Sequence, residues 1–189
     1  MNSVDAPPPQ RRLIGLVGPP GAGKSTLANR LAAAAPSAAV LPMDGFHLPQ
    51  ARLIELGRRD RMGAPDTVDV AGFARILREL RTTATVVAPS FDRSIEEPVP
   101  GGVTIGPGIR TVYVEGNYLL HWPDIAELLD ETWYLELAEQ VRRRRLLERH
   151  VASGKTPDAA AAWIASVDEP NARLIAASAA RATRTLAVD

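Results

Sequence analysis

The sequence predicts an α/β protein, a three-layer α/β/α sandwich around a mostly parallel sheet of five strands. Two observations carry that expectation. Short apolar runs alternate with segments of helical periodicity along most of the chain, the pattern of parallel strands joined by crossover helices. The first of these runs also leads into Gly18-Pro19-Pro20-Gly21-Ala22-Gly23-Lys24-Ser25-Thr26. That is a complete G-x-x-x-x-G-K-[ST] loop between a strand and a helix, the context the motif requires.

The elements follow in order. Residues 1–11 are polar, contain Pro7-Pro8-Pro9, and read as a loose tail ahead of one domain over 12–189. A first strand is expected over 12–17, a first helix over 24–34 and a second strand over 38–41, running into Pro42-Met43-Asp44-Gly45-Phe46-His47. Residues 51–56 suit a helical turn or two. Asp66 or Asp69 is placed to cap a helix to about Arg81, with Val70, Phe73, Ile76, Leu77 and Leu80 on its apolar face. A third strand is expected over 85–88, and a small hairpin around 103–105 in the Pro/Gly-rich stretch 97–108. The next strand, 111–114, ends in Glu115-Gly116-Asn117-Tyr118. Beyond it come a strand over 131–137, an arginine-rich helix over 139–151, helices over 159–165 and 171–180, and a last strand over 184–188. Ligands of such sheets collect at the carboxyl ends of the strands. On this reading Asp44, Asp92 and Glu115 all converge beside the glycine loop.

Composition narrows the setting. The 22 basic and 22 acidic residues cancel, so no polybasic surface points to nucleic acid. Without cysteine there are no disulfides, thiolate metal sites or thiol nucleophiles. The sequence shows no leader pattern and no apolar run of membrane-spanning length, so a cytoplasmic protein with no membrane partner is expected. The 97–108 stretch offers an edge through which two copies could pair as a homodimer.

The loop states the ligand. Gly18, Gly21 and Gly23 let successive N–H groups turn toward phosphate oxygens, and the helix starting near Lys24 aims its positive end at the same anion. Lys24 adds a point charge near the β- and γ-phosphates, and Ser25 offers its hydroxyl to Mg²⁺. Asp44, one element later at a strand end, is the candidate to accept the proton of an acceptor hydroxyl. Glu115 closes the apolar run Val112-Tyr113-Val114 as a Walker-B acid does, and is the second metal ligand. Arg142, Arg145 and Arg149 share a helix face, and such a stripe can close over a triphosphate as an arginine-bearing lid over about 138–165. Gly154-Lys155-Thr156 looks like a second loop ending but has Arg149 where the glycine belongs. His47 is either a packing residue or an acceptor contact. Trp122, Trp133 and Trp163 are expected in core or lid packing.

Five motifs in order carry a resemblance. They are the glycine loop, Met43-Asp44-Gly45-Phe46-His47, Gly63-Ala64-Pro65-Asp66-Thr67-Val68-Asp69, Pro89-Ser90-Phe91-Asp92-Arg93 and Glu115-Gly116-Asn117-Tyr118. Together they resemble the P-loop NTPase superfamily of uridine kinase, pantothenate kinase and phosphoribulokinase, nearest its bacterial uridine-kinase-like (fructose-transport-associated) branch. The likeness runs from the first strand to about Asn171.

The resemblance implies a kinase that uses ATP and Mg²⁺ on the hydroxyl of a nucleoside-, pantothenate- or sugar-like metabolite. It implies Asp44 as catalytic base, Lys24, Arg145 and Arg149 around the transferring phosphoryl, and Ser25 and Glu115 at the metal. It also implies Asn171 near the nucleotide base, and Phe46, His47, Phe91, Asp92, Arg93 and Tyr118 around the acceptor. Phe91 replaces the family's tyrosine, Glu96 stands near the uridine kinases' histidine, and Arg93 stands near a pantothenate-kinase histidine. These departures loosen the tie to both substrates, and an arginine at 93 points to an acidic or phosphorylated acceptor. The competing class is a regulatory P-loop ATPase or GTPase module, but the chain has no Asn-Lys-x-Asp guanine reader.

Overall fold

The computed structural model describes residues 10–188. Five strands form the central sheet: β1 (Arg12–Val17), β2 (Ala38–Pro42), β5 (Thr111–Gly116), β6 (Glu131–Glu136) and β7 (Arg184–Ala187). Their spatial order is β2-β5-β1-β6-β7, and every pairing is parallel. The expected three-layer α/β/α arrangement follows from how β1 alternates. Leu13 and Val17 face one core, with α3 (Val70–Thr82) and α7 (Glu169–Ala176), while Ile14 and Leu16 face the other, with α1 (Lys24–Ala33). A parallel sheet is stable only with both faces covered in this way.

Helix ends obey local chemistry. Asp69, rather than Asp66, caps α3 by accepting from the Gly72 N–H at 2.9 Å. Thr156 caps α6 (Pro157–Trp163) by accepting from Ala159. α6 does not end where the sequence suggested. It runs through a π-helical segment, Ile164–Asp168, into α7. Pro170 cannot donate to a continuing ladder, and the wider π turn carries the chain up to it without a break. The remaining helices are the short α2 (Gln50–Glu55) and α4 (Pro123–Ala126), and α5 (Glu139–Ala152).

Two expectations are corrected. The strand predicted at 85–88 is β3 (Val86–Asp92), and it lies outside the central sheet. It pairs antiparallel with β4 (Glu97–Ile105) in a two-stranded hairpin. Val86 and Ala88 are buried while Val87 between them is 55% exposed, the alternation of a strand covered on one side only. Pro89 lacks an N–H, and the pairing shifts between Ala88 and Ser90. The small hairpin expected around 103–105 is instead part of the second strand of this wider hairpin.

The expected 1–11 tail falls mostly outside the described residues, but Arg11 is anchored. It is 2% exposed, and its guanidinium donates to the carbonyls of Leu80, Thr83, Ala84 and Gly106.

Candidate active site

Three adjacent strand ends build the site. The sheet register sets Leu16 of β1 and Pro42 of β2 on either side of Glu115 in β5. Past Val17 the chain enters the glycine loop, and past Pro42 it enters a 3-10 turn, Met43–Phe46, that holds Asp44. The three features therefore leave the sheet at one level and line a single cleft of about 1010 Å³ with Lys24, Ser25, Asp44 and Glu115 in its wall.

The loop has the backbone its motif demands. Gly21 and Gly23 have φ of +85° and +89°, left-handed values that glycine adopts without strain. A Cβ on Gly21 would stand 3.0 Å from the Arg142 carbonyl oxygen and 3.1 Å from the Leu146 side chain. α5 thus rests directly on the loop, and its next turns bring Arg145 and Arg149 into the cleft.

Lys24 is 8% exposed, and its ammonium donates to the loop carbonyls of Gly18 (2.8 Å) and Pro19 (3.1 Å). Burial lowers its pKa to about 8, with Glu115 and Asp44 opposing the shift and Arg149 and Arg93 adding to it. Glu115 accepts a 3.0 Å hydrogen bond from the Ser25 hydroxyl. Burial and repulsion from Asp44 push its carboxyl above the usual range, against the pull of Lys24 and Ser25. Asp44 is ion-paired to Arg93 on the β3–β4 turn. Gly45 makes room for this arrangement, since a Cβ there would meet the Pro89 carbonyl oxygen at 2.2 Å.

Most residues expected from sequence line the cleft: 20–26 of the loop, Asp44, His47, Phe91, Arg93, Glu115, Arg145, Arg149 and Asn171. Gly18 and Pro19 act one step back, through the carbonyls that hold Lys24. His47 stacks at a tilt on Phe91, ring centres 5.2 Å apart, and its Nδ1 lies 2.8 Å from the Asp44 carbonyl oxygen.

Four expected residues stand elsewhere. Phe46 is 5% exposed and packs on Phe73 in the core. Tyr118 is fully buried, its hydroxyl donating to the Gly63 carbonyl at 2.6 Å, as a buried phenol must find a partner. Asp92 closes its own turn, accepting from the backbone and hydroxyl of Ser94. Held on that turn, its carboxylate does not join Asp44 and Glu115 in the cleft that Phe91 and Arg93 line. Arg142 is 4% exposed and pairs with Glu169 instead of entering the cleft.

Some lining residues went unread in the sequence. Arg59 donates to Gln50 at 3.0 Å and pairs with Glu96, but within Arg58-Arg59-Asp60-Arg61 it has the look of a solvated charge cluster. His150 meets Asp168 at 2.8 Å. Lys155, read only as a false loop ending, and Trp163, expected in core or lid packing, also line the cleft, with the ammonium 5.0 Å from the indole centre.

Comparisons with known proteins agree with this geometry. No family model matches the chain. A crystal structure from a Silicibacter species, provisionally named a fructose transport system kinase, is 38% identical with a TM-score of 0.88, over 98% of this chain and 93% of that one. The ATP-dependent kinase-like protein notR' of Aspergillus versicolor is 43% identical over 64% of this chain and 77% of its own. The Escherichia coli protein YggC is 36% identical over 86% of this chain and 72% of its own.

The chain belongs to the uridine-kinase-like branch of the P-loop kinases. YFH7 from Saccharomyces cerevisiae, described as a P-loop protein with a circular permutation, shares the fold with a TM-score of 0.83 at 18% identity, over 96% of this chain and 93% of that one. In this P-loop kinase the sandwich expected from sequence is present, and α5 lies directly on the phosphate loop.

Proposed function

We propose that the chain is a small-molecule kinase that transfers the γ-phosphoryl group of ATP to an acceptor hydroxyl. The observation that carries this reading is the shared level of the three strand ends, which sets Asp44 beside Glu115 and Lys24 in one cleft. Several relatives are named as ATP-dependent kinases.

Each residue has a role in such a transfer. Lys24, now held by loop carbonyls, is the cation that swings to the β- and γ-phosphates. Arg145 and Arg149 follow the charge that develops on the moving phosphoryl. Asp44 takes the acceptor's hydroxyl proton. The acceptor oxygen then bonds to the γ-phosphorus, the bond to the bridging oxygen breaks, and ADP leaves.

The site also fits Mg²⁺. Among the described residues no three His, Cys, Asp or Glu side chains form a metal cage. Ser25 and Glu115 supply hard oxygen donors at the phosphate end, which suits an ion that keeps waters and shares phosphate oxygens. When bound it would neutralise charge on the β- and γ-phosphates.

ADP release from Mg–ATP, measured with nucleosides, pantothenate, sugars, sugar phosphates and hydroxy acids, tests the proposal. Release stimulated tenfold or more (on the order of a specific acceptor effect) by one acceptor supports it. Release that no acceptor stimulates contradicts it.

A further inference from the structure

We infer that Arg93 is an anion receptor for the acceptor. The molecule phosphorylated at Asp44 carries a carboxylate or phosphate near its hydroxyl, and it draws Arg93 off Asp44 as it binds. This rests on the kinase reading above.

Four observations carry it. First, the Arg93 guanidinium occupies Oδ2 of Asp44, one of the two oxygens that can take an acceptor's proton. An acceptor that uses this oxygen has to move the guanidinium aside.

Second, the pair is built to open. The Arg93 side chain is 59% exposed and ion-paired to Asp44. An exposed pair of this kind is weakly held. Arg59 on the same wall is different, since Gln50 fixes its Nε and Glu96 its terminal nitrogen.

Third, the neighbouring charge repels Arg93. It lies near enough to Lys24 and Arg149 to act against the protonation of both. Those two cations face the nucleotide phosphates, which leaves Arg93 to meet a second anion.

Fourth, its position suits the acceptor rather than the nucleotide. Arg93 follows β3, next to the Phe91 ring that stacks on His47 beside Asp44, whereas Arg145 and Arg149 arrive from α5. The planar fork of arginine binds a carboxylate or a phosphate through two parallel hydrogen bonds. Such a ligand replaces the single Asp44 contact with a better one and frees the base in the same motion. An uncharged acceptor offers no such exchange.

Steady-state kinetics of the wild type and Arg93→Gln test this with three acceptor sets of matched size: hydroxycarboxylates, sugar phosphates and uncharged sugars or nucleosides. The first two sets distinguish a carboxylate from a phosphate as the recognised group. The wild type is expected to prefer one charged set. Arg93→Gln should raise the KM of that set by about 10- to 100-fold, the range for a lost charged hydrogen bond. It should leave kcat for that set within about threefold and should not slow the uncharged set, and Arg93→Lys should restore part of the loss.

Preference for uncharged acceptors overturns the inference while leaving the kinase reading intact. So does an equal fall in kcat for every acceptor, because Arg93 would then serve the transferring phosphoryl. If no acceptor is phosphorylated, the kinase reading fails by itself. Calorimetric titration of hydroxycarboxylates and sugar phosphates into protein saturated with Mg–ADP then decides, and anion binding that ignores Arg93→Gln overturns the receptor.

Discussion

The Ser25 hydroxyl donates a 3.0 Å hydrogen bond to Oε1 of Glu115 across 90 residues of sequence. This contact joins the phosphate loop to the end of β5 and pairs the two oxygen donors suited to Mg²⁺. It also exposes a cost. Glu115 is 6% exposed, and burial followed by Asp44 pushes its carboxyl pKa up, so ionising it works against the fold.

Glu115→Gln therefore separates folding from metal use. The folded carboxyl titrates above its unfolded value, so its penalty sets in as pH rises past the unfolded value and grows until the folded carboxyl ionises. The amide cannot ionise and still accepts from Ser25. Thermal melting without metal should find the variant at least as stable as the wild type, while the gain in ATP affinity on adding Mg²⁺ falls about tenfold or more. A variant that keeps the full Mg²⁺ effect would remove Glu115 from the metal site.

Lys24 gives a proton-linked prediction. Its folded pKa is about 8 against 10.5 for the free side chain. The unfolded chain therefore holds this proton more tightly between those values, and the penalty for burying the ammonium is relieved as pH rises through them. A bound triphosphate restores the preference for the charged form. Calorimetry of ATP binding in buffers of different ionisation enthalpy should show uptake approaching about one proton near pH ~9 and little from this group near pH ~7. Equal uptake at both values would contradict the assignment.

Gly45 sets the position of Asp44 through close approach. A Cβ 2.2 Å from the Pro89 carbonyl oxygen cannot be relieved by rotating a side chain, so the turn or the hairpin must shift. Gly45→Ala should lower stability by about 1–3 kcal/mol. It should also cut kcat by about 100-fold, the effect of displacing a reacting group by about an ångström. Retained activity with lowered Tm would mean that the hairpin yields and Asp44 stays.

The legible parts of the site were those fixed by local chemistry. The glycine loop, the strand ends before Asp44 and Glu115, and the Asp69 cap each depend on a few neighbouring residues. The sheet was legible because short apolar runs alternate with segments of helical periodicity along the chain. What failed depends on distant partners.

Arg142 and Arg145 have the same helical signature, but Glu169, 27 residues on, takes Arg142 into a buried pair. Phe46 and Tyr118 lie within site motifs, yet their aromatic bodies are worth more in the core. The 85–88 run is compatible with a central strand until the pattern of Val87 and the antiparallel partner β4 are known. Nothing near Arg59 in sequence reveals that Gln50 and Glu96 hold it against the cleft.

The central claim is transfer of phosphoryl to an organic hydroxyl through Asp44. Incubation of wild type and Asp44→Asn with γ-labelled Mg–ATP and the best acceptor, followed by separation of the products, tests it most directly. The account predicts label on the acceptor with the wild type, a loss of rate of about 100-fold or more with Asp44→Asn, and ATP affinity within about threefold between the two. Label released only as inorganic phosphate by the wild type, or transferred at full rate by Asp44→Asn, would contradict it.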